Sequence, residues 1–450
     1  MDKPCLVCSG KINIECFCHR PAINEIQQLP VFAKRPAIPL RIPFLQKRAN
    51  MECDSIFAYF CKNGIYMIPR LIFKEAKVAL GQFRALCITG PRQSGKTTLS
   101  KQLFVGKPYV NFENPSVQQE AEQTPETFLE KYRHGAVFDE IQRVPHIFRY
   151  LQGILDSNNR RGQFILTGSN NFLLQEQVSQ SLAGRAGYLS LLPFSYAELV
   201  AAKIDLEDVN KHLLTGGYPE IWVEKLQPDT WLNSYVQTYV QRDVRLLRNI
   251  TNLGVFTRFI YLCAHYAGQI LNRDELAKQT GVDTKTILAW LGLLENSYII
   301  FQLQPWYNNL NKRIVKSPKI FFYDSGLLCH LLGIKSITAL RRHTSYGALF
   351  ENWVISEIRK NNFNTAQTSG MYYFRDSSGN EIDLISERDG GPIAIEIKSG
   401  KQHNNNQLRG LKYWQKYQPA SQGILLYGGK QHEMMTDTLS LVPWTEVINL

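Results

Sequence analysis

The stretch Gly90-Pro-Arg-Gln-Ser-Gly95-Lys96-Thr97 matches the pattern G-x-x-x-x-G-K-[ST] at every defined position. It follows a short apolar run at residues 84–89 and precedes a stretch of helical pattern at residues 96–103. The two glycines permit a tight loop whose backbone N–H groups turn inward, and the positive end of the following helix adds to their attraction for anions. The sequence therefore predicts a phosphate-binding loop between a strand and a helix.

The residues of this loop have distinct expected roles. The Lys96 amine would reach the β- and γ-phosphates of a nucleoside triphosphate, and the Thr97 hydroxyl would ligate magnesium. The other loop residues would cradle the phosphates through their backbone; they are Gly90, Pro91, Arg92, Gln93, Ser94, Gly95 and Thr98. The predicted ligands are ATP and Mg²⁺.

Two adjacent carboxylates distinguish hydrolysis from phosphoryl transfer to another substrate. The apolar run at residues 136–138 ends in Asp139 and Glu140, about forty residues after the loop. Asp139 would hold a magnesium-bound water, and Glu140 would act as the base for the attacking water. A small-molecule kinase rarely needs the second carboxylate, because its nucleophile is a substrate hydroxyl. A kinase and a plain surface Asp-Glu pair stay open as the alternatives.

Two further positions suit the same chemistry. Ser169, with Asn170 as second choice, follows an apolar run at residues 163–167 and would sense the γ-phosphate through a hydroxyl or amide. The alternative for both is an ordinary turn at the end of a strand. Arg185 lies in a tight bend, where its guanidinium would stabilise developing charge on the phosphoryl group of a neighbouring subunit. A surface arginine is the competing interpretation.

Short apolar runs at residues 84–89, 109–112, 136–138 and 163–167 are separated by helical stretches. Such alternation is typical of an α/β fold with a parallel sheet covered by helices on both faces. We expect this core to occupy residues 67–200.

The motifs in this region resemble the AAA+ half of a widespread prokaryotic ATPase family whose C-terminal domain is of unknown function. The stretches that carry the resemblance are residues 89–98, 137–140, 166–169, 181–185 and 193–199, followed by 216–220, 239–243 and 323–327 in the second half. The resemblance covers roughly residues 68–445. It implies an AAA+-type ATPase, strengthens Arg185 as a residue acting between subunits, and so implies a homo-oligomer.

The remainder of the chain divides by pattern into three parts. Residues 201–265 are mostly helical, and residues 266–335 resemble a winged helix with two short helices, a turn at Gly281 and two candidate wing strands. Thr284, Lys285 and Thr286 open its second helix, where a reader of DNA would meet the major groove. Winged helices also serve as protein-contact modules, which is the alternative.

Residues 336–450 are predicted to form a small α/β domain with a second set of chemically suggestive residues. Asp383 ends one strand, and Glu396 and Lys398 share a face of the next by the period of two. Asp383 and Glu396 could share a divalent metal, with Lys398 activating water and Glu351 adding a carboxylate from the preceding helix. These four residues in this order resemble the PD-(D/E)xK nuclease core, which implies metal-dependent cleavage of a phosphodiester. A solvated strand face is the alternative.

Residues 1–66 differ from the rest of the chain, with six of the 20 prolines, poor periodicity and clustered cysteines. Cys5-x-x-Cys8 and Cys16-x-Cys18-His19 offer ligands that suit zinc, at a spacing that fits no common zinc module. We expect a poorly ordered or spurious extension, with Met67 as the natural start.

The 450 residues carry a formal net charge of +12, which points weakly to an anionic partner such as DNA or another nucleic acid. A distributed surface excess of charge would explain it as well. No apolar run reaches about 18 residues, so we expect no membrane span. The nine cysteines form no secreted disulfide framework, so we expect a cytoplasmic protein.

Two functions are compatible with these patterns. The first is ATP hydrolysis coupled to nucleic acid, with metal-dependent nuclease activity near the C-terminus. The second is a nucleotide-switched regulator or scaffold whose C-terminal domain only binds partners.

Overall fold

A computed structural model describes residues 68–450 except for residues 158, 170–173, 175–177, 179, 205, 241–251, 307–316, 368 and 389. The N-terminal extension, its zinc alternative and the second-choice sensor Asn170 therefore lie outside the described residues.

A parallel sheet forms the centre of the first part of the described chain. Its strands are β1 (Ala85–Thr89), β2 (Tyr109–Asn111), β3 (Ala136–Asp139), β4 (Phe164–Gly168) and β5 (Ala186–Ser190), in the order β2-β3-β4-β1-β5. Four of them agree with the predicted runs to within one residue at each end. β5 was not predicted, because its sequence Ala-Gly-Tyr-Leu-Ser is neither a continuous apolar run nor a regular alternation.

Helices cover both faces of this sheet, as the sequence predicted. They are α1 (Phe73–Gln82), α2 (Lys96–Leu103), α3 (Pro115–Gln123), α4 (Pro125–Glu130) and α5 (Ile147–Ser157). Leu86 and Ile88 of β1 face a core that includes Leu99 of α2, whereas Cys87 faces a second core that includes Leu151 of α5. Successive β1 residues thus contribute to opposite faces, which buries the strand completely.

A helical region follows the first sheet. Its helices are α6 (Tyr196–Ala201), α7 (Val209–Thr215), α8 (Pro219–Val223), α9 (Pro228–Tyr235), α10 (Leu253–His265), α11 (Arg273–Thr280) and α12 (Thr284–Asn296), with a π-helical turn at Val236–Val240. Asn272 caps α11, and Gly281 ends it in the left-handed conformation at φ 76°. Asp283 then caps α12. The predicted pair of short helices is therefore present, with the turn and cap where the sequence placed them.

An eight-stranded mixed sheet forms the second α/β layer of the described chain. Its strands are β6 (Ile300–Pro305), β7 (Lys319–Phe322), β8 (Met371–Arg375), β9 (Glu381–Ser386), β10 (Ile393–Lys398), β11 (Gln422–Tyr427), β12 (Glu433–Met434) and β13 (Leu439–Pro443), in the order β12-β13-β11-β10-β9-β8-β6-β7. β8, β9 and β10 are antiparallel neighbours, whereas β10, β11 and β13 run parallel. The sequence pattern predicts strands at Glu381–Ser386 and Ile393–Lys398, and β9 and β10 have these bounds, with Asp383 in the middle of β9 and not at its end.

The helices of this layer are α13 (Ser325–Leu331), α14 (Ile337–Arg342), α15 (Tyr346–Asn364) and α16 (Arg409–Gln415), with short 3₁₀ helices at Ile141–Arg143, Asn405–Leu408 and Trp444–Asn449. The sequence pattern predicts a helix at Leu349–Lys360, and α15 begins three residues earlier and ends four residues later. It is buried on nearly all sides and packs against α6, α13 and the second sheet.

One hydrophobic core unites much of the described chain after the first sheet. It includes Phe194, Phe259, Trp290, Trp353 and Trp444, which belong to every predicted segment from the end of the ATPase core onward. The candidate wing strand β6 also connects two predicted domains. It pairs with β7, which lies before the predicted boundary at residue 336, and with β8, which lies after it. The winged-helix assignment and the domain limits stay predictions, but they do not correspond to separate cores.

Candidate functional site

The phosphate-binding loop joins the carboxyl end of β1 to the first turn of α2. Gly90 has φ 146°, and a Cβ atom there would lie 2.0 Å from the Leu191 carbonyl oxygen. Gly95 begins α2 in the left-handed conformation at φ 93°. Both positions therefore require glycine, one because of a close backbone approach and both because of positive φ.

Lys96 is buried, and its ammonium lies against the loop. It donates hydrogen bonds to the carbonyl oxygens of Gly90 at 2.9 Å and Pro91 at 2.8 Å. The positive charge of Lys96 is therefore held beside the phosphate-binding loop. The role of Lys96 in binding the β- and γ-phosphates stays a prediction.

Asp139 accepts hydrogen bonds from three hydroxyl groups. Thr97 Oγ1 donates to Asp139 Oδ2 over 2.8 Å, Tyr109 donates to the same oxygen, and Thr167 donates to Oδ1. Burial and the Asp139 carboxylate raise the pKa of Tyr109. The predicted magnesium pair, Thr97 and Asp139, is thus in direct contact.

Sequence reasoning missed Tyr109 and Thr167 as parts of this site. The order of the strands would have revealed them, because β2 and β4 are the two neighbours of β3 in the sheet. Tyr109 begins β2, and Thr167 lies near the carboxyl end of β4. That order cannot be read from local pattern.

Glu140 directly follows β3 in the left-handed conformation, with φ 55°. Such a backbone conformation is unusual for a residue with a side chain and is concentrated at functional positions. Its Oε2 atom accepts hydrogen bonds from Ser169 Oγ at 3.0 Å and from Gln142 Nε2 at 2.6 Å. The structure therefore brings together the predicted base and the predicted sensor serine, and it adds Gln142, which sequence reasoning missed.

Arg70 binds the backbone of the phosphate loop, and sequence reasoning missed it as well. Its guanidinium donates to the Ser94 carbonyl at 2.7 Å, to the Leu192 carbonyl at 2.6 Å and to Glu198 Oε1 at 2.9 Å. Glu198 is fully buried in the capping box that Ser195 forms at the start of α6. The arginine and its partner hold the loop against the segment that leaves the sheet. No local signal marked Arg70, because it precedes the first helix by several residues.

Arg185 lies at the opposite end of the sheet from the phosphate loop. Its carbonyl accepts from the N–H of Ala85, the first residue of β1, so about 16 Å of strand separate it from Gly90. Its guanidinium pairs with both oxygens of Asp156, at 2.6 and 2.8 Å. Arg185 therefore does not complete the site of its own chain, and its role between subunits stays a prediction.

The second predicted set, Glu351, Asp383, Glu396 and Lys398, is brought together by α15, β9 and β10. Lys398 Nζ lies 2.7 Å from Glu396 Oε1 and 3.5 Å from Asp383 Oδ2. Asp383 Oδ2 also accepts from the Ile397 N–H at 2.8 Å. The predicted adjacency of the two strands is correct.

A buried lysine that sequence reasoning missed completes this cluster. Lys319 Nζ lies 3.2 Å from Glu351 Oε1 and 2.5 Å from Glu381 Oε1. Burial and the neighbouring Asp383 carboxylate raise the pKa of Glu351 to about 7 and that of Glu396 to about 8. Glu396 Oε2 is buried and has no hydrogen-bond partner among the residues that the structure describes.

In the cluster, lysines pair with the carboxylates that were predicted to hold a metal. Glu351 faces Lys319, and Glu396 faces Lys398. Among the described residues, no group of three or more histidine, cysteine, aspartate or glutamate side chains has an arrangement suited to a metal ion. A metal at Asp383 and Glu396 would require these side chains to turn, and it stays a prediction.

The start of α12, predicted to meet DNA, is partly occupied by local hydrogen bonds. Thr286 donates to Asp283 at 2.7 Å, and Thr284 donates to Asp274 at 3.1 Å. Lys285 is exposed between them. Contact with nucleic acid at this helix stays a prediction.

Comparison with known families divides the chain into three parts. Residues 82–200 match the model of an AAA domain. Residues 206–338 and 346–447 match two domains of unknown function, DUF8612 and DUF4143. The AAA match covers the loop, the carboxylate pair and Arg185, and it supports the predicted AAA-type ATPase class and ATP binding for this region.

Proteins without an assigned function are similar over most of the chain. An uncharacterized protein of Mycobacterium tuberculosis is 29% identical over 374 residues, 82% of each chain. An uncharacterized protein of Methanocaldococcus jannaschii is 23% identical over 348 residues, covering 70% of this chain and 75% of that one.

Solved structures resemble the chain more distantly. A Walker-type ATPase of Pyrococcus abyssi has 15% identity and a TM-score of 0.38, covering 58% of this chain and 94% of that one. A STAND signal-transduction ATPase of Pyrococcus horikoshii has 10% identity and a TM-score of 0.26, covering 66% of this chain and 47% of that one.

Every helix of the described ranges is too short or too polar to cross a membrane.

Proposed function

We propose that the chain hydrolyses ATP with Mg²⁺ at the loop of residues 90–97. The observation that carries this proposal is the contact between Thr97 and Asp139, with Glu140 next to it and poised between Ser169 and Gln142. A hydroxyl and a carboxylate are the oxygen ligands that Mg²⁺ prefers, so the residues present fit the ion. When bound, Mg²⁺ would neutralise charge on the phosphate oxygens.

The residues divide the work of hydrolysis. Lys96 and the loop N–H groups would hold the phosphates, while Glu140 would accept a proton from the attacking water. Ser169 and Gln142 would fix the orientation of the Glu140 carboxylate, because both donate to its Oε2 atom. Water would add to the γ-phosphorus as the bond to the β-phosphate oxygen breaks, giving ADP and phosphate.

The full chain and its Glu140→Gln variant test this proposal. We expect ATP turnover by the wild type and a loss of at least about 100-fold in the variant, with nucleotide affinity kept within about threefold. Glu130→Gln, an exposed carboxylate on α4, is the matched control and should turn over ATP normally. Wild-type protein that binds ATP without hydrolysing it would contradict the proposal.

We further propose that Arg185 acts on the nucleotide of a neighbouring copy, so that the active form is a homo-oligomer. The support is its position at the far end of the sheet, where its own site is out of reach. Mixing the inactive variants Glu140→Gln and Arg185→Ala should restore part of the activity, because each supplies what the other lacks. Arg133→Ala, another exposed arginine, should be fully active alone. Mixtures that stay inactive would argue against action between subunits.

Coupling to nucleic acid and metal-dependent cleavage form the second part of the proposal. Its support is the gathering of Glu351, Asp383, Glu396 and Lys398 on a helix and two adjacent strands. DNA should stimulate ATP turnover, and DNA incubated with Mg²⁺ or Mn²⁺ should be cut by the wild type but not by Lys398→Ala. Lys401→Ala, an exposed lysine shortly after β10, should cut normally. DNA left intact under every condition and without effect on turnover would exclude this part.

The alternative is a nucleotide-switched regulator or scaffold. The pairing of Glu351 with Lys319 and of Glu396 with Lys398 favours it, because charge inside the cluster is compensated without a metal. It predicts that Lys398→Ala keeps function in cells whereas Lys96→Ala abolishes it. Equal damage by both substitutions would count against it.

A further inference from the structure

Tyr298 connects the C-terminal half of the chain to the base of the phosphate loop. It stands between α12 and β6 in the left-handed conformation, with φ 57°. Hydrogen bonds from the N–H groups of Tyr298 and Ile299 to the carbonyls of Glu295 and Leu294 fix this turn. The side chain is 4% exposed and points out of its own segment into the first sheet.

The Tyr298 hydroxyl lies within a buried group of three hydroxyls. It is 2.7 Å from Thr89 Oγ1 and 2.9 Å from Ser190 Oγ, and those two atoms are 3.3 Å apart. Thr89 and Ser190 are the last residues of β1 and β5, and they pair in register. A residue more than a hundred positions away therefore binds the strand end from which the loop departs.

The two strand ends also set the position of the loop itself. The Thr89 carbonyl accepts from the Leu191 N–H at 2.7 Å, and the Leu191 carbonyl fills the space beside Gly90 where a side chain would lie. Any shift of Thr89 relative to Ser190 would therefore move Gly90 against Leu191. Tyr298 bridges these two strands at the point where the loop is least able to adjust.

We propose that Tyr298 is a positioning residue for the phosphate loop. Through Tyr298, the order of the eight-stranded sheet and the affinity of the loop for nucleotide depend on each other. Two residues after Tyr298 the chain enters β6, which pairs with β8 in the sheet that holds the carboxylate cluster. Nucleotide bound at the loop should thus stabilise the turn at Tyr298, and by linkage a more ordered turn should favour nucleotide binding. The proposal rests on nucleotide binding by the loop and not on hydrolysis.

The affinity of the full chain for a fluorescent ADP in the presence of Mg²⁺ tests the proposal. Tyr298→Phe keeps the ring and its packing but removes the hydroxyl, and we expect it to weaken ADP binding about fivefold, because the hydrogen bonds to Thr89 and Ser190 are lost. Tyr427→Phe is the matched control, because that buried tyrosine at the end of β11 exchanges hydrogen bonds with the backbone of Gln431 and does not contact the phosphate loop. Its ADP affinity should equal that of the wild type.

A double-mutant cycle separates positioning from a general loss of stability. Thr89→Val removes the partner hydroxyl, so its combination with Tyr298→Phe should weaken ADP binding no more than the larger single effect. Amide hydrogen exchange at residues 298–303 should also slow when ADP binds. Wild-type ADP affinity in Tyr298→Phe, or exchange at those residues that ignores ADP, would overturn the proposal. Absent ATP turnover with these effects intact would instead refute hydrolysis alone.

Discussion

Thr97 donates a hydrogen bond of 2.8 Å to Asp139, joining the helix after the phosphate loop to the end of the neighbouring strand β3. This contact places a hydroxyl and a carboxylate at one point beside the loop. The Asp139→Asn variant keeps the shape of the side chain but loses its charge. We expect nucleotide affinity in Mg²⁺ to fall at least about tenfold, because the carboxylate charge that would hold the ion through its bound water is lost.

The measurement is an ADP titration with Mg²⁺ and again with EDTA. Without Mg²⁺ the variant and the wild type should bind alike. Glu130→Gln is the control, since that exposed carboxylate lies on α4, outside the phosphate loop. An Asp139→Asn variant that still gains affinity from Mg²⁺ as the wild type does would show that another residue holds the ion.

Gly90→Ala should disturb the loop, because the position combines a close backbone approach with a positive φ of 146°. The new methyl group would lie 2.0 Å from the Leu191 carbonyl oxygen, so the loop or the strand end must shift. We expect the nucleotide affinity to fall at least about tenfold and the melting temperature to drop. Gly153→Ala is the control, because that glycine lies within α5 with no atom near its Cβ position. It should instead raise stability by about 0.5–1 kcal/mol, and equal behaviour of the two variants would refute the steric argument.

The buried ion pair between Glu357 and Lys360 should be essential to the folded state. Their atoms lie 2.8 Å apart, Glu357 accepts from the Tyr196 N–H, and Lys360 donates to the Phe194 carbonyl at 3.2 Å. Lys360→Met leaves a buried carboxylate without its counter-charge, so we expect a loss of about 3 kcal/mol in the free energy of unfolding.

Urea unfolding measures this loss, and a double variant tests its cause. Adding Glu357→Gln to Lys360→Met removes the uncompensated charge while keeping an acceptor for Tyr196, so part of the stability should return. A double variant less stable than Lys360→Met would show that packing, and not charge, explains the loss.

His212 should make stability depend on pH below neutrality. It is fully buried in α7, where Trp353 donates to its Nδ1 atom at 2.6 Å. Burial, assisted by Lys360, lowers the pKa of His212 well below 6.5 in the folded chain. The unfolded chain therefore takes up a proton that the folded chain refuses, and stability falls as pH drops below about 6.5.

The expected slope is about 1.4 kcal/mol per pH unit from this residue. The comparison is between the wild type and His212→Gln, whose amide oxygen can still accept from Trp353, by urea unfolding at pH 7.5, 6.5 and 5.5. The difference in stability between the two proteins should change in favour of the variant as pH falls. A difference that is constant over this range would exclude the histidine as its source.

Four of the five strands of the first sheet, of which β1, β3 and β4 are completely buried, were predictable because they read as short apolar runs. The same holds for the loop, whose residue types are dictated by backbone geometry at Gly90 and Gly95. Strands β9 and β10 were also predictable, and Glu396 and Lys398 share a face of β10 by the period of two. In each case the information is local in sequence.

The missed residues act through contacts that are distant in sequence. Arg70, Lys319 and Tyr298 reach partners 128, 32 and 209 positions away in the chain. No periodicity or spacing encodes such pairs, and a lysine or tyrosine in an apolar strand or turn has many ordinary explanations. Lys319 in particular changes the chemistry expected of the carboxylate cluster, because it supplies charge where a metal was predicted.

The helix at Tyr346–Asn364 has a consequence for chimeric proteins. Its buried polar residues are matched to the segment at residues 194–198, which belongs to the matched AAA region by sequence. If the C-terminal half were replaced by that of a relative, with the junction at residue 200 where the AAA match ends, these polar residues would lose their matched partners. A functional chimera should take residues 194–198 from the same parent as the C-terminal half. The segment that must be exchanged as one piece therefore begins inside the matched AAA region and not after it.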